Sequence, residues 1–490
     1  MLFNSLEFII FFIVILTTIS AIKNRKFQHI FLLVISYFFF YFTSNYLVTL
    51  LIISTLLDYY LGNKIWNENN IIKKKIFLIF SLIGNLGLLG FFKYADFAIA
   101  QFNIFGTHFN LNSEIPLLDL ILPIGISFYT FQTISYTVDI YRGHLEPSKS
   151  FREFALFVAF FPQLVAGPIV RAKDFLPQLR EKLDNFSSGI KLRQIIINNQ
   201  NLKLGITIMA FGFFKKMFFA DNIAPLVDEI FINPIGLDSF TIILGTFAFG
   251  IQIYGDFSGY SDIAIGAALI LGFKIPINFN KPYFAISPSD FWRRWHISLS
   301  TWLRDYLYIP LGGNKKSSSR TYLNLFTVMF LGGLWHGASW NFVIWGVLHG
   351  MYLAIHKIIS DKFPHLKIHP FFKSKIGKII SIVVTQYFVF LAWIPFRAHN
   401  TDDMMYSIQK YIFIDFQFDN VFSFVLTHKW PLLIMGIFVI LHIFMYFKPN
   451  TVYKISKMNL KYWTVFLTSL LFLVVYFYNG NSQDFIYFRF

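Results

Sequence analysis

Long apolar runs separated by short basic loops set the pattern of this chain. Runs at 5–22, 28–43, 46–61, 76–98, 117–140 and 463–478 each approach the length a helix needs to cross a membrane, because a helix rises about 1.5 Å per residue and the hydrocarbon core is about 30 Å thick. Lys and Arg gather between the runs, at 23–26, 64–75, 142–152 and 448–461. Basic loops favour the cytoplasmic side, which predicts both termini outside. The first run is expected to be a helix and not a cleaved leader, since its positive cluster follows the apolar stretch.

Two stretches break this alternation. The run 157–170 has basic residues on both sides: Arg152 before it, Arg171, Lys173 and Arg180 after it. The stretch 322–356, which contains LGGLWHGASWN at 331–341, likewise follows Lys315, Lys316 and Arg320 and ends at His356 and Lys357. Fourteen helical residues reach only about 21 Å. If both flanks face the cytoplasm, the chain enters, turns at depth and returns, which non-helical backbone tolerates only when protein covers it. On this reading Gly332, Gly333 and Gly337 mark the break and His336 sits at its tip. The alternative is two short helices with His336 at the far surface. Residues 278–320, rich in Trp, Tyr and Arg, are too polar to span and suit an interfacial helix. Residues 171–202 form a second candidate surface segment.

Composition supports the membrane reading. Of 490 residues, 56% are hydrophobic and 14% charged, about half the charged fraction of a soluble domain. The net charge of +16 lies in the loops, so nucleic-acid binding is not expected. Without cysteine, disulfides, thiolate metal sites and a cysteine nucleophile are excluded. No HExxH, Walker A or GxSxG pattern occurs, so no metal site, nucleotide hydrolysis or serine-hydrolase chemistry is expected.

Twelve histidines are present, most of them in loops or at segment ends. His349 and His356 share a helical face that approaches the interface, and His442 stands alone in an apolar run. His336 and His296 differ: an ionisable group inside a membrane protein is a functional candidate, and a neutral imidazole is a competent general base. A helix-packing role remains open for both. YGDFSGYSD at 254–262 brings Asp256 and Asp262 into an apolar region, where carboxylates need partners; Arg or His of the interfacial stretch could supply them. Lys215 and Lys216 in GFFKKMFFADN are read as snorkelling to an interface.

Taken together, FFPQLVAGPIVR at 160–171, GFFKKMFFADN at 212–222, YGDFSGYSD, FWRRWHISLSTWLRDYLYIPLGG at 291–313 and WHG at 335–337 resemble the membrane-bound O-acyltransferase superfamily, in its bacterial polysaccharide-modifying branch; the closing FIYFRF fits the acetyltransferase side. The resemblance runs nearly end to end and implies an all-α polytopic membrane protein. Its helices would form a ring, with re-entrant and interfacial helices around a central channel, in a single domain over 1–490. The divisions are 1–140 for N-terminal transmembrane helices, 141–360 for the catalytic core and 361–490 for C-terminal transmembrane helices. The family's near-invariant histidine maps onto His336 and its second histidine onto His296.

The resemblance further implies acyl transfer from a cytoplasmic donor, expected to be acetyl-CoA with no bound cofactor. Arg293, Arg294 and Arg304 would hold the donor's phosphates, and Trp335 and Trp340 would wall a dry channel. Gly337, Asn341, Tyr254, Asp256 and Ser258 would support it. The acceptor is expected to be a cell-envelope polysaccharide, peptidoglycan ahead of an alginate-like exopolysaccharide. An extracytoplasmic partner of SGNH type would complete the transfer, with the chain in the bacterial inner membrane. D-alanyl transfer to teichoic acid is the competing enzyme reading. A transporter using His336 and Asp256 as a proton relay is the competing class.

Overall fold

The computed structural model describes residues 1, 3–22, 24–109, 114–164, 167–184, 195, 197–367, 369–416, 421–478 and 485–488. The candidate surface segment 171–202 therefore lies partly outside the described residues. The chain divides into two compact units, Met1–Ile206 with Ile263–Pro276, and Thr207–Asp262 with Ile277–Phe490. The described residues include six helical stretches long and apolar enough to cross a membrane: Lys26–Asn67, Ile71–His108, Ser239–Ile270, Trp340–Lys362, Lys375–Arg397 and Lys429–Phe447.

In the first unit, α1 (Leu6–Ala21) starts where Ser5 caps the Phe8 amide. It is followed by α2 (Arg25–Ser44), α3 (Val48–Asn67), α4 (Ile71–His108) and α5 (Ile126–Tyr141). The expected breaks between the runs 28–43, 46–61 and 76–98 appear as a 3-10 turn at Asn45–Leu47 and a short loop at 68–70, with α3 extending through Lys64 to Asn67. At 38 residues, α4 is about 57 Å long and extends well beyond the apolar run that predicted it. The run 117–140 is helical only from Ile126, because Pro123 lacks an amide hydrogen and Gly125 adopts φ +81°. A buried polar network joins α3, α4 and α5. Ser81 Oγ and Asn85 Nδ2 donate to the two oxygens of Asp58 at 2.6 and 2.7 Å, and Ser81 meets Thr137 at 2.9 Å. Such bonds tie helices together where lipid offers no competing partner. The 157–170 stretch is broken as expected: α6 (Phe151–Ala159) ends before a short turn, Phe161–Leu164, and 167–170 are buried and non-helical. Residues 165–166 lie outside the described residues. The polar helix α7 (Ala172–Asp184) follows.

The second unit takes the end of α8 (Asn199–Phe213) from Thr207 onward, its π-helical continuation Phe214–Ala220, α9 (Asp221–Ile232), and α10 (Ser239–Ile270) as far as Asp262. A Cβ on Gly259 would sit 2.7 Å from the Gly212 carbonyl oxygen and 3.0 Å from the Lys216 amide, so this glycine lets α10 approach the α8 continuation. The 278–320 stretch is not one interfacial helix. Pro288–Trp292 and α11 (Ile297–Leu303) are short helices, interrupted at His296, whose φ of +43° cannot continue a right-handed helix. Trp292, Trp295 and Trp302 are buried.

The LGGLWHGASWN stretch forms a helical hairpin of α12 (Ser318–His336) and α13 (Trp340–Lys362). Its break is confined to 337–339, so Gly332 and Gly333 lie inside α12 and do not mark it. Gly333 instead sets helix spacing: a Cβ there would collide with the Phe342 carbonyl oxygen and lie 3.0 Å from Gly346 Cα. Gly333→Val should cost about 1–3 kcal/mol through overpacking, read as a lower melting temperature of the detergent-solubilised protein. Gly436→Val, at a position where a Cβ meets open space, should leave it unchanged. Helices α14 (Lys375–Arg397), α15 (Lys429–Phe447) and α16 (Leu460–Tyr476) complete the unit.

Candidate active site

His336 is the last residue of α12, and Gly337 caps the helix in an extended conformation. That ending turns the imidazole, 4% exposed, into a cluster of rings. Trp345 lies 4.8 Å away, Trp335 5.0 Å, Phe396 5.3 Å and Tyr487 5.5 Å between centroids. The His296 ring is 6.4 Å from it. Two histidines 40 positions apart in sequence thus meet in one buried cluster of rings.

His296 reaches the cluster through an unfavourable backbone. A non-glycine residue in the left-handed region costs on the order of 1 kcal/mol or more, and Asn278 holds it there. The Asn278 carbonyl accepts from the Ile297 amide at 2.9 Å, and its Oδ1 accepts from the Ser298 hydroxyl at 2.6 Å. The imidazole is fully buried, edge-on to Phe257 at 4.6 Å. Neither ring nitrogen has a hydrogen-bond partner among the described residues, and burial pushes this imidazole well below its ordinary value, into the neutral form.

Tyr487 closes the ring cluster from the C-terminal segment, with its ring 6.3 Å from His296 and 4.8 Å from Phe257. A buried ion cluster holds that segment: Asp256 Oδ2 accepts from the Ile486 amide at 2.7 Å, while Lys216 Nζ lies 2.8 Å from both Asp256 and Asp221. The Lys216 side chain is 1% exposed, so the snorkelling reading fails for it. Asp256 pairs with Lys216, which lies outside the interfacial stretch. The π-helical register at 214–220 turns the adjacent lysines to different partners, Lys215 pairing with Asp262 at 2.6 Å.

A cavity of about 380 Å³ opens beside the rings, lined by Gln252, Gly337, Ser339, Asn341, Phe396 and Arg397 among others. Asn341 ties the start of α13 to the Ala398 carbonyl at 2.8 Å. Trp340 is 52% exposed; as the first residue of α13 it stands at the helix mouth, and Trp345 supplies the wall expected of it. Tyr254 packs against Phe279 and His442, in a separate ring layer from His336. Ser258 is buried, its carbonyl 3.4 Å from Lys215 Nζ. His349, expected near the interface, is buried against Trp345 at 4.7 Å. Of the three arginines, Arg293 and Arg304 are exposed, Arg304 beside Asp305 at 2.7 Å, and the half-buried Arg294 pairs with Asp290 at 2.9 Å.

The model of the MBOAT, membrane-bound O-acyltransferase family matches residues 141–393, which contain both of these histidines. The chain is 34% identical over 481 residues to the peptidoglycan O-acetyltransferase of Helicobacter pylori, covering 89% of this chain and 86% of that protein. The chain belongs to the membrane-bound O-acyltransferase family. It is a multi-pass membrane enzyme that transfers acyl groups. It is also 39% identical over 406 residues to the probable alginate O-acetylase AlgI of Pseudomonas aeruginosa, covering 82% of this chain and 72% of that one. The teichoic acid D-alanyltransferase of Streptococcus thermophilus is more distant, 28% identical over 299 residues and covering 57% and 69%.

The rings around His336 also include Trp345, Phe396 and Tyr487, and Lys216 pairs with the carboxylate that holds the C-terminal segment; sequence reasoning selected none of the four. Trp345 and Phe396 had no distinguishing signal within apolar helices. Lys216 had one, a second charge inside an apolar run that also carries Asp221 nearby.

Proposed function

We propose that the enzyme passes acetyl groups from acetyl-CoA at the cytoplasmic face of the bacterial inner membrane towards peptidoglycan, with an SGNH-type extracytoplasmic partner completing the transfer. The observation that carries this reading is the burial of His336 and His296 in one ring cluster with a cavity beside it. There His336 takes the proton of an acceptor hydroxyl as its oxygen bonds to the thioester carbonyl carbon. The C–S bond then breaks, and the thiolate leaves and takes up a proton. Walls of Trp335, Trp345 and Phe396 keep out the water that would hydrolyse the thioester. His296 lies in the same cluster in its neutral form, with both nitrogens available to a reacting group. Arg293 and Arg304 are the exposed arginines that would meet the donor's phosphates.

Peptidoglycan is preferred over alginate because the similarity to the H. pylori protein spans more of both chains. The test is expression with the partner in a host whose sacculi lack O-acetyl groups. Base-labile acetate on the glycan is the expected result. Acetate only on an exopolysaccharide fraction would move the acceptor, and D-alanine esters in place of acetate would replace the donor.

A further inference from the structure

A second cavity, of about 410 Å³, lies away from the histidine cluster in the same unit. Its walls are mostly rings and aliphatic chains: Phe211, Phe214, Phe438, Phe466 and Leu470. Phe279 forms part of the wall and packs 5.0 Å from Phe257, whose edge meets His296. Two ring layers therefore stand between this cavity and the reacting centre.

Three features say what would occupy it. Leu441 and Phe444, which line it, are themselves 38% and 49% exposed on α15, a helix apolar enough to span a membrane, so the cavity opens towards lipid. Its polar edge carries Lys281 beside the Lys215–Asp262 ion pair, a net positive charge. Lys281 lines it and has no carboxylate partner among the described residues, and its backbone is held at φ +49°; such left-handed non-glycine residues persist where surrounding structure over-determines them. Thr451, Val452 and Ile455 also line it and lie in a segment carrying Lys448, Lys454 and Lys457, while residues 420–483 contain no Asp or Glu. Finally, His442 is held between Phe284 and Phe438, both near-parallel to its ring, and its buried Nε2 has no hydrogen-bond partner among the described residues.

We propose that this cavity binds an anionic phospholipid, with one acyl chain among the phenylalanines, the phosphate at Lys281 and an ester oxygen at His442. The enzyme is reconstituted in phosphatidylcholine vesicles containing phosphatidylglycerol, re-extracted in mild detergent and weighed intact. Phosphatidylglycerol should remain bound to the unaltered enzyme. Lys281→Gln should reduce its occupancy about fivefold, the effect of one lost cationic contact near a membrane, with phosphatidylcholine occupancy unchanged. Leu470→Trp, which fills the cavity, should remove the bound lipid; a melting curve in the same detergent reports whether that variant folds, and Lys281→Gln carries the test if it does not. Equal occupancy in all three proteins would overturn the proposal. So would displacement of the lipid by acetyl-CoA, which would assign the cavity to the acyl donor.

Discussion

His336→Ala should lower acetyl ester on the target polysaccharide by about 10²–10⁴-fold, the usual contribution of a positioned general base, with the amount of enzyme in the membrane unchanged. The imidazole sits at the end of α12, so its loss removes ring contacts with Trp335, Trp345, Phe396 and Tyr487 but no helix hydrogen bond. His336→Gln keeps most of the volume and should be equally inactive, which separates chemistry from packing. His296 needs a different substitution. Alanine would inherit the left-handed backbone and confound strain with lost chemistry, whereas asparagine tolerates that conformation. His296→Asn should therefore fold with nearly native stability and still lose most activity. Ester content is read after mild base release, and enzyme abundance by immunoblot of membranes. Normal ester content in His336→Gln would remove His336 from the role of base.

The two histidines stood out in the sequence because polarity is rare in an apolar background, and the structure brings their rings within 6.4 Å. In LGGLWHGASWN, the charge of both flanks pointed to a turn, and the turn lies at 337–339, next to His336. The details of that turn were not legible. A glycine's sequence position does not reveal whether it breaks a helix or lets one helix approach another, and Gly333 does the second. Trp340 and Trp345 read alike in sequence. Five helical positions place them on different faces, and only packing decides which one meets the imidazole. The local pairing of the cationic rim was legible only in part: Arg294 and Arg304 each have a carboxylate within four residues, and the structure pairs them. Tyr487 lies about 150 positions from His336, and no local periodicity links a C-terminal aromatic segment to a ring cluster built by α11, α12 and α13.

Asp256→Ala should be strongly destabilising, unlike the histidine variants. It leaves Lys216 with one fewer carboxylate in a region where both side chains are almost fully buried, and removing one partner of a buried pair costs about 3–5 kcal/mol. It also removes the acceptor of the Ile486 amide, and with it the hold on the segment that places Tyr487 beside both imidazoles. Stability and activity should therefore fall together. The combination Lys216→Met, Asp221→Asn and Asp256→Asn separates the two effects. It removes the buried charges at nearly constant volume, which is often neutral or stabilising, and the side-chain amide oxygen it introduces at position 256 can still accept from the Ile486 amide. That variant should regain most of the lost melting temperature and much of the ester yield. Deleting residues 485–490 should do the opposite, leaving the ion cluster intact while reducing transfer to the level of His336→Ala. Native melting temperature and native ester content in Asp256→Ala would show that the cluster neither stabilises the unit nor positions the C-terminal segment.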